Sequence, residues 1–323
     1  MTTTIGRILE KYHHYSKLNN FKNLSALIIG YGSAGKRHAR ALEKLNIKNI
    51  SVLSKQKINK YNVVNTLHDI KKINPDYIIV SSVTSLHLNH IKFIEKNFIN
   101  KTILIEKPLF HKFVKAKFVK NKYYVGYNLR FNPCLNLLKK RIKNKKINFV
   151  NINCSSYLPH WRKKTATKRN SMSFSNHVGG GVLLELSHEI DYIKWLFGDF
   201  KILFVFNSKI SNLKTKSDDI LILNALSKKK IVINMTINFF SKIKRREIFI
   251  DGNDINIYGD LINNKSVVIE NNITEKKSWP KFNMDKSFFL ENLEALSKKK
   301  LTLCKFNEAT DTMKIISKIR KLR

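Results

Sequence analysis

The sequence predicts an α/β protein: an N-terminal doubly wound parallel sheet, then an α+β domain built on a large, mostly antiparallel open sheet. Three observations lead there. From Leu24 to Val125, short and nearly all-apolar runs alternate with amphipathic segments, the pattern of parallel strands covered on both faces through right-handed crossovers. The first of these runs meets Gly30-Tyr-Gly-Ser-Ala-Gly35, a G-x-G-x-x-G loop between a strand and a helix. After Asn132-Pro133 the rhythm changes, and runs of strands dominate.

Taken in order, Ile5, Ile8, Leu9 and Tyr12 fall at i, i+3, i+4 and i+7, one face of a helix in an N-terminal extension over residues 1–20. Strands are expected at 26–29, 50–53, 77–80, 102–105 and 123–125, with helices near 35–45, 86–97 and 111–120. A helix near 133–143 precedes a strand at 147–155, a polar loop and one strongly helical block at about 180–197. Strands follow at 201–207, 220–226, 231–238, 247–250 and 267–270, with turns at 227–230 and Asp251-Gly252. Two helices, near 285–298 and 307–322, close the chain. At 323 residues two cores are expected. The division is 1–20 for the extension, 21–126 for the domain that carries the glycine loop, and 127–323 for the α+β domain.

Composition excludes several classes. No window approaches the roughly 18 apolar residues of a membrane span, and the N-terminus lacks the apolar core of a signal peptide, so a cytoplasmic location is expected. Cys134, Cys154 and Cys304 are widely separated and form no C-x-x-C, which predicts buried free thiols. The net charge of +38 would point to nucleic acid. Yet 50 of the 61 basic residues are Lys, scattered among Ile and Asn, as A/T-rich codons would produce. Lys228–Lys230 and Lys298–Lys300 are placed at a turn and a helix end, where solvated surface is the simple reading. No specific nucleic-acid partner is expected; a phosphate-bearing substrate or an acidic partner is the alternative.

The glycine loop assigns Gly30 to the tight turn, Gly32 to close approach of a pyrophosphate and Gly35 to helix packing. Backbone N–H groups at such a helix start hold phosphate. The second strand ends Val52-Leu53-Ser54-Lys55-Gln56, where an NAD-selective protein would place an acid on the ribose. Ser54 and Lys55 can instead hold a 2′-phosphate, which favours NADP(H); a merely solvated lysine is the alternative. Glu106-Lys107-Pro108 falls at a strand's C-terminal end, where ligands bind open α/β sheets, and a partly desolvated Lys there can exchange protons. In the block Gly179 to Gly198, one continuous helix would place Glu185, His188 and Asp191 or Tyr192 on one face. A carboxylate beside a histidine suits a proton shuttle, a capped core histidine being the plainer reading. E-x-x-H can also ligate a metal, but no second pair accompanies it, so no metal is expected.

These residues resemble the glucose-fructose oxidoreductase and inositol dehydrogenase (Gfo/Idh/MocA) family. The resemblance runs from Leu24 to the C-terminus through the Gly30 to His38 loop, Ser82-Val-Thr-Ser-Leu-His87, Glu106-Lys107-Pro108, Gly126-Tyr-Asn-Leu-Arg-Phe-Asn-Pro133, Trp161-Arg162 and the helix ending Trp195-Leu-Phe-Gly198. It implies reversible oxidation of a sugar or cyclitol hydroxyl by NAD(P), with Lys107 and His188 nearest the reacting carbon and Glu185 as their companion. It implies cofactor contacts from Gly30, Gly32, Ser33, Ala34, Gly35, Ser54, Lys55, Ser82, Thr84, His87, Glu106 and Lys107. Substrate contacts are implied for Asn128, Arg130, Trp161, Arg162 and His188. A homodimer or homotetramer through the C-terminal sheet is the implied assembly. Many relatives place an Asp four residues before the histidine; here Leu184 stands there and Glu185 is three before. The Leu-Ser-His-Glu-Ile-Asp form with Trp161-Arg162 looks like members found with surface-sugar biosynthesis, which suggests an acidic or nucleotide-linked sugar. A non-catalytic nucleotide sensor that keeps the fold is the competing expectation.

Overall fold

The computed structural model describes residues 21–162, 180–280, 282–297 and 302–322. The expected helix over 1–20 and the lysines at 298–300 lie outside them. Two compact units form: the chain through Phe110 with Val114–Phe131 and Asn283–Thr310, and His111–Phe113 with Asn132–Phe282 and Asp311–Arg323. Residues 283–310, grouped by sequence with the C-terminal domain, thus cluster with the first unit.

The first unit contains β1 (Ser25–Ile29), α1 (Ser33–Lys44), β2 (Asn49–Leu53), β3 (Asn62–Val64), α2 (Ile70–Ile73), β4 (Tyr77–Val80), α3 (His87–Asn97), β5 (Thr102–Glu106) and β6 (Lys122–Gly126). The second unit follows with α4 (Pro133–Arg141), β7 (Ile147–Ser155), α5 (Val182–Glu185), α6 (His188–Phe197), β8 (Phe200–Ser208), β9 (Ile220–Ser227), β10 (Val232–Asn238), β11 (Arg245–Gly252), β12 (Ile255–Asp260), β13 (Lys265–Glu270) and β14 (Ile273–Ser278). Then α7 (Met284–Leu296) and β15 (Cys304–Lys305) return to the first unit, and α8 (Phe306–Leu322) ends the chain.

In the first unit the strand order is 15-6-5-4-1-2-3. Strands 1 to 6 are parallel, and β15 joins β6 antiparallel. The order reverses between β1 and β4, the topological switch point where open α/β sheets bind ligands. Leu27, Ile28, Ile78, Ile79, Leu104 and Ile105 are fully buried, which is why these strands read as unbroken apolar runs.

The helix expected at 111–120 does not form. Val119 and Lys120 donate their backbone N–H groups to Glu95 Oε1, at 2.7 and 2.8 Å, so they are unavailable to a helical ladder. Phe118 instead packs edge-on against Phe306 with centroids 5.5 Å apart. A distant aromatic and one carboxylate override a local spacing.

The second unit's eight strands run in the order 14-13-12-11-7-10-9-8, antiparallel except for β7 beside β10. Val150, Ile152, Ile233, Met235, Ile248 and Ile250 bury one face. Cys134, Cys154 and Cys304 are free and buried, and burial pushes the Cys134 and Cys154 thiols up to about 12. No helix among the described residues is long and apolar enough to cross a membrane.

Candidate functional site

In the first unit, the sequence-marked residues line the C-terminal ends of five parallel strands. Gly30 follows β1 at φ +95°, where a Cβ would lie 2.7 Å from both Cα and N of Ser82. Only glycine lets the loop after β1 pass this close to the loop after β4. A Cβ on Gly35 would lie 2.1 Å from the Gly30 carbonyl oxygen, so the third glycine seats α1 against the turn. Ser81 fastens the same turn by donating from Oγ to that oxygen at 2.8 Å. Gly32 differs: a Cβ there would meet nothing within 4 Å, and it caps α1 with no side-chain hydrogen bond. The α1 N-terminus, with Ser33 and Ala34 as its first residues, is therefore left open on the side where a phosphate would approach.

The remaining members divide by environment. Ser54 accepts from Gln56 N at 3.0 Å, Lys55 beside it is exposed, and no carboxylate occurs among Ser54, Lys55, Gln56 and Lys57. Ser82 Oγ lies 2.9 Å from His90 Nδ1. Burial, then His87, lowers His90 to about 4. Thr84 is buried at the start of a 3₁₀ turn, flanked by the exposed apolar side chains of Val83 and Leu86. His87 is 1% exposed, with Nδ1 3.2 Å from Leu109 O and Nε2 3.1 Å from Ser82 O. It braces the β4 loop against the β5 loop, and burial lowers its pKa. Lys107 is half-buried after β5, and its bond to Pro108 is cis.

Asn128 and Arg130 occupy the 3₁₀ turn after β6 and are both buried. Arg130 Nη1 reaches Glu308 Oε2 at 3.0 Å, and Glu308 also accepts from Lys305 N at 2.8 Å. Arg130 thus ties this turn to the start of α8.

Behind the β5 edge lies a polar cluster of which the sequence reading assigned only Glu106. His38 Nε2 is 2.9 Å from Glu106 Oε1, and Asn292 Nδ2 is 2.9 Å from His38 Nδ1. Asn292 also donates to Phe288 O at 2.7 Å and accepts from the Tyr77 hydroxyl at 2.9 Å, which fixes its amide orientation. Its NH₂ therefore faces His38, Nδ1 is the acceptor, and the Nε2–H donates to Glu106. The available signal was Glu291-Asn292, two polar residues inside the apolar run Phe288-Phe-Leu290 to Leu293.

The second unit holds Trp161, Glu185 and His188. The expected single helix over 180–197 is broken at Leu186-Ser187: Glu185 ends α5 and His188 begins α6. Ser187 N bonds Leu184 O and Glu189 N bonds Leu186 O, three-residue steps that re-phase the chain. The continuous face expected for Glu185 and His188 is interrupted for that reason. His188 is 8% exposed and Glu185 half-buried. Two contacts hold the segment. Asp218 Oδ2 accepts from Leu183 N at 2.9 Å, capping α5 from another strand's approach. Glu189, 0% exposed, pairs through Oε1 with Arg246 Nε at 2.8 Å, tying α6 to β11. Trp161 is partly exposed, donates from Nε1 to Ser156 Oγ at 2.5 Å and packs edge-on against Phe239. Arg162 ends the same 3₁₀ turn. Among the described residues, the one group with metal-ligand composition is His38, Glu106 and Glu291; Glu185 and His188 are not part of it.

Residues 24–122 match the family model described as the oxidoreductase family, NAD-binding Rossmann fold, of Gfo/Idh/MocA. No curated protein matches the chain in sequence. Solved structures share the fold. A levoglucosan dehydrogenase in complex with NADH and levoglucosan superposes with TM-score 0.75 at 16% identity, covering 92% of this chain and 96% of its own. UDP-N-acetylglucosamine 3-dehydrogenase from Acidithiobacillus ferrooxidans gives TM-score 0.73 at 14% identity, covering 93% and 97%. An oxidoreductase from Thermotoga maritima gives 0.74 at 16%, covering 93% and 96%.

Proposed function

The chain carries the NAD-binding Rossmann fold of the Gfo/Idh/MocA oxidoreductases, and on that premise we propose that it moves hydride between a nicotinamide cofactor and a sugar or sugar-derivative hydroxyl or ketone. The observation that carries the reading is the α1 N-terminus. Gly30 and Gly35 are forced by backbone approaches under 3 Å, whereas Gly32 faces open space. A glycine kept where the fold tolerates a side chain is explained by a ligand that must come close.

The nicotinamide supplies the hydride chemistry when bound. Gly32, Ser33 and Ala34 would hold the pyrophosphate through backbone N–H groups. Val83 and Leu86, exposed apolar side chains on the loop after β4, suit the flat face of a ring. Ser54 and Lys55, with no acid beside them, support NADP(H) over NAD(H). Lys107 is assigned to hold the proton of the reacting hydroxyl. His188, in the second unit, is assigned as a second proton carrier, with Glu185 next to it in sequence. The sugar class, and an acidic or nucleotide-linked sugar within it, follows the resemblance and the named substrates of the solved relatives. Self-association through the open sheet of the second unit belongs to the same reading.

The test has two stages. Fluorescence titration with NADH and NADPH is expected to give binding to both, tighter for NADPH, and keto-sugars and nucleotide sugars are then screened for oxidation of the bound cofactor. With a substrate in hand, Lys107→Met is expected to lower kcat by ~10²-fold or more while leaving nucleotide affinity within a few-fold. Full turnover in that variant would remove Lys107 from the chemistry. Tight nucleotide binding with no hydride transfer across the panel would turn the reading toward a sensor.

A further inference from the structure

Glu291, on α7, is 0% exposed, and among the described residues neither of its carboxyl oxygens has a hydrogen-bond partner. One of those oxygens lies within 4.8 Å of ligand atoms on both His38 and Glu106. One imidazole and two carboxyls form a set that could hold a cation. The donor pattern argues otherwise. Asn292 leaves the His38 proton on Nε2, the nitrogen that faces Glu106, so that nitrogen offers a proton and no lone pair.

The titratable and charged groups facing Glu291 are His38 from α1, Tyr77 from β4, Glu106 from β5 and Glu294 on its own helix. Each has its hydrogen bonds elsewhere. Tyr77 donates to Asn292. Glu294 Oε1 accepts from Thr302 N at 2.6 Å and Leu303 N at 2.9 Å. Glu106 accepts from His38. His38 Nδ1 is taken by the bond from Asn292. Three carboxyls therefore meet with no cation among the groups that face Glu291, and Glu291 alone lacks donors. An unpaired charge buried in this way is too costly to persist.

We propose that Glu291 is a neutral, proton-bearing acid that acts as a positioning residue for Glu106, its proton allowing Glu106 to sit at the β5 edge beside Lys107. The spacing to Glu106 is within reach of a single bridging water. Burial, and then Glu106 and Glu294, push the Glu291 carboxyl well above the usual range. Losing the proton sets two carboxylates in one pocket, and the repulsion displaces Glu106 and the loop that carries Lys107. Nucleotide affinity is then tied to the protonation of a residue on a helix from the far end of the chain. This consequence, though not the proton itself, rests on the reading that the β5 edge binds a nicotinamide nucleotide.

Two measurements on the full-length protein decide it. In infrared difference spectra between wild type and Glu291→Gln at neutral pH, the wild type is expected to show the C=O stretch of a protonated carboxyl, shifted in D₂O and absent from the variant. The same band can be followed in wild type alone after ¹³C labelling of glutamate, should the variant fold poorly. In NADPH titrations across pH, wild-type affinity is expected to fall by about tenfold per pH unit once Glu291 ionises, while Glu291→Gln keeps its neutral-pH affinity. Absence of the band, or superimposable pH profiles in two proteins that bind, would overturn the proposal. If neither protein binds nucleotide at any pH, the functional reading fails, and the infrared band alone decides the proton.

Discussion

At Gly32 the backbone sits at φ −77°, a value open to any residue, and an added Cβ meets nothing within 4 Å. Gly32→Ala is therefore expected to unfold at the wild-type urea midpoint or slightly above it, since alanine narrows the unfolded ensemble. The same methyl group stands where the pyrophosphate would approach, so nucleotide affinity is expected to fall by about tenfold or more, ~1.4 kcal/mol. Wild-type affinity in a stable Gly32→Ala would detach the loop from phosphate binding. Gly35→Ala, 2.1 Å from the Gly30 carbonyl, is expected to lose stability and binding together. The glycine loop was legible because its spacing reports backbone geometry directly. Glu291, Asn292 and His38 were not assigned, because their meaning comes from contacts across 254 residues of chain. The tie from Arg130 to Glu308 was not legible either, because the two residues are 178 positions apart.

Among elements, the approach to His188 depends on a borrowed cap. Gly181 has φ +102°, and a Cβ on it would fall 2.3 Å from Asp218 Oδ1. Glycine thus admits the carboxylate that caps α5 through Leu183 N, while Asn207 Nδ2 approaches Asp218 Oδ2 at 3.2 Å. Asp218→Ala leaves a buried N–H unsatisfied and is expected to cost about 2 kcal/mol in urea unfolding, with Asp218→Asn retaining most of the stability. Because α5 leads into α6, turnover should fall in Asp218→Ala while NADPH affinity in the other unit stays unchanged. Equal stability of all three proteins would dismiss the cap. Element recognition followed the same physics. Five of the first unit's six parallel strands were read within a residue or so of their ends, since burial on both faces writes an apolar run; β3, with no buried residue, was not read. The edge strand β14, Ile-Thr-Glu-Lys-Lys-Ser with no buried residue, carries no such pattern. Strand β15 is two residues long and exists by pairing with Tyr124 and Val125. Where turns need a left-handed residue this glycine-poor chain uses asparagine, at Asn46, Asn74, Asn100, Asn144, Asn264, Asn271 and Asn272.

For the molecule as a whole, the open face of the second unit's sheet is the feature that charge and composition conceal. Its register aligns Phe204, Asn224, Asn234, Asn151, Phe249, Tyr258 and Val267 in one row across seven strands. Within the row, Asn224 donates to Asn234 and Asn234 to Asn151, each at 3.0 Å, and Phe249 packs on Tyr258 with centroids 4.8 Å apart. Amides bonded to one another have less need of water, and Phe204, Phe206, Phe249, Val232 and Ile269 add exposed apolar surface around them. A chain of net charge +38 repels its copies in solution, so this row of seven residues, which holds no lysine, is where contact costs least. Wild type is expected to run as a dimer or tetramer in light scattering, more completely as salt screens the charge. Phe204→Asp with Phe249→Asp should give a monomer at every salt concentration, with NADPH affinity intact because the substitutions lie in the unit without the glycine loop. A wild-type monomer at micromolar concentration and high salt would refute self-association, and a double variant that stays oligomeric would move the contact to another surface.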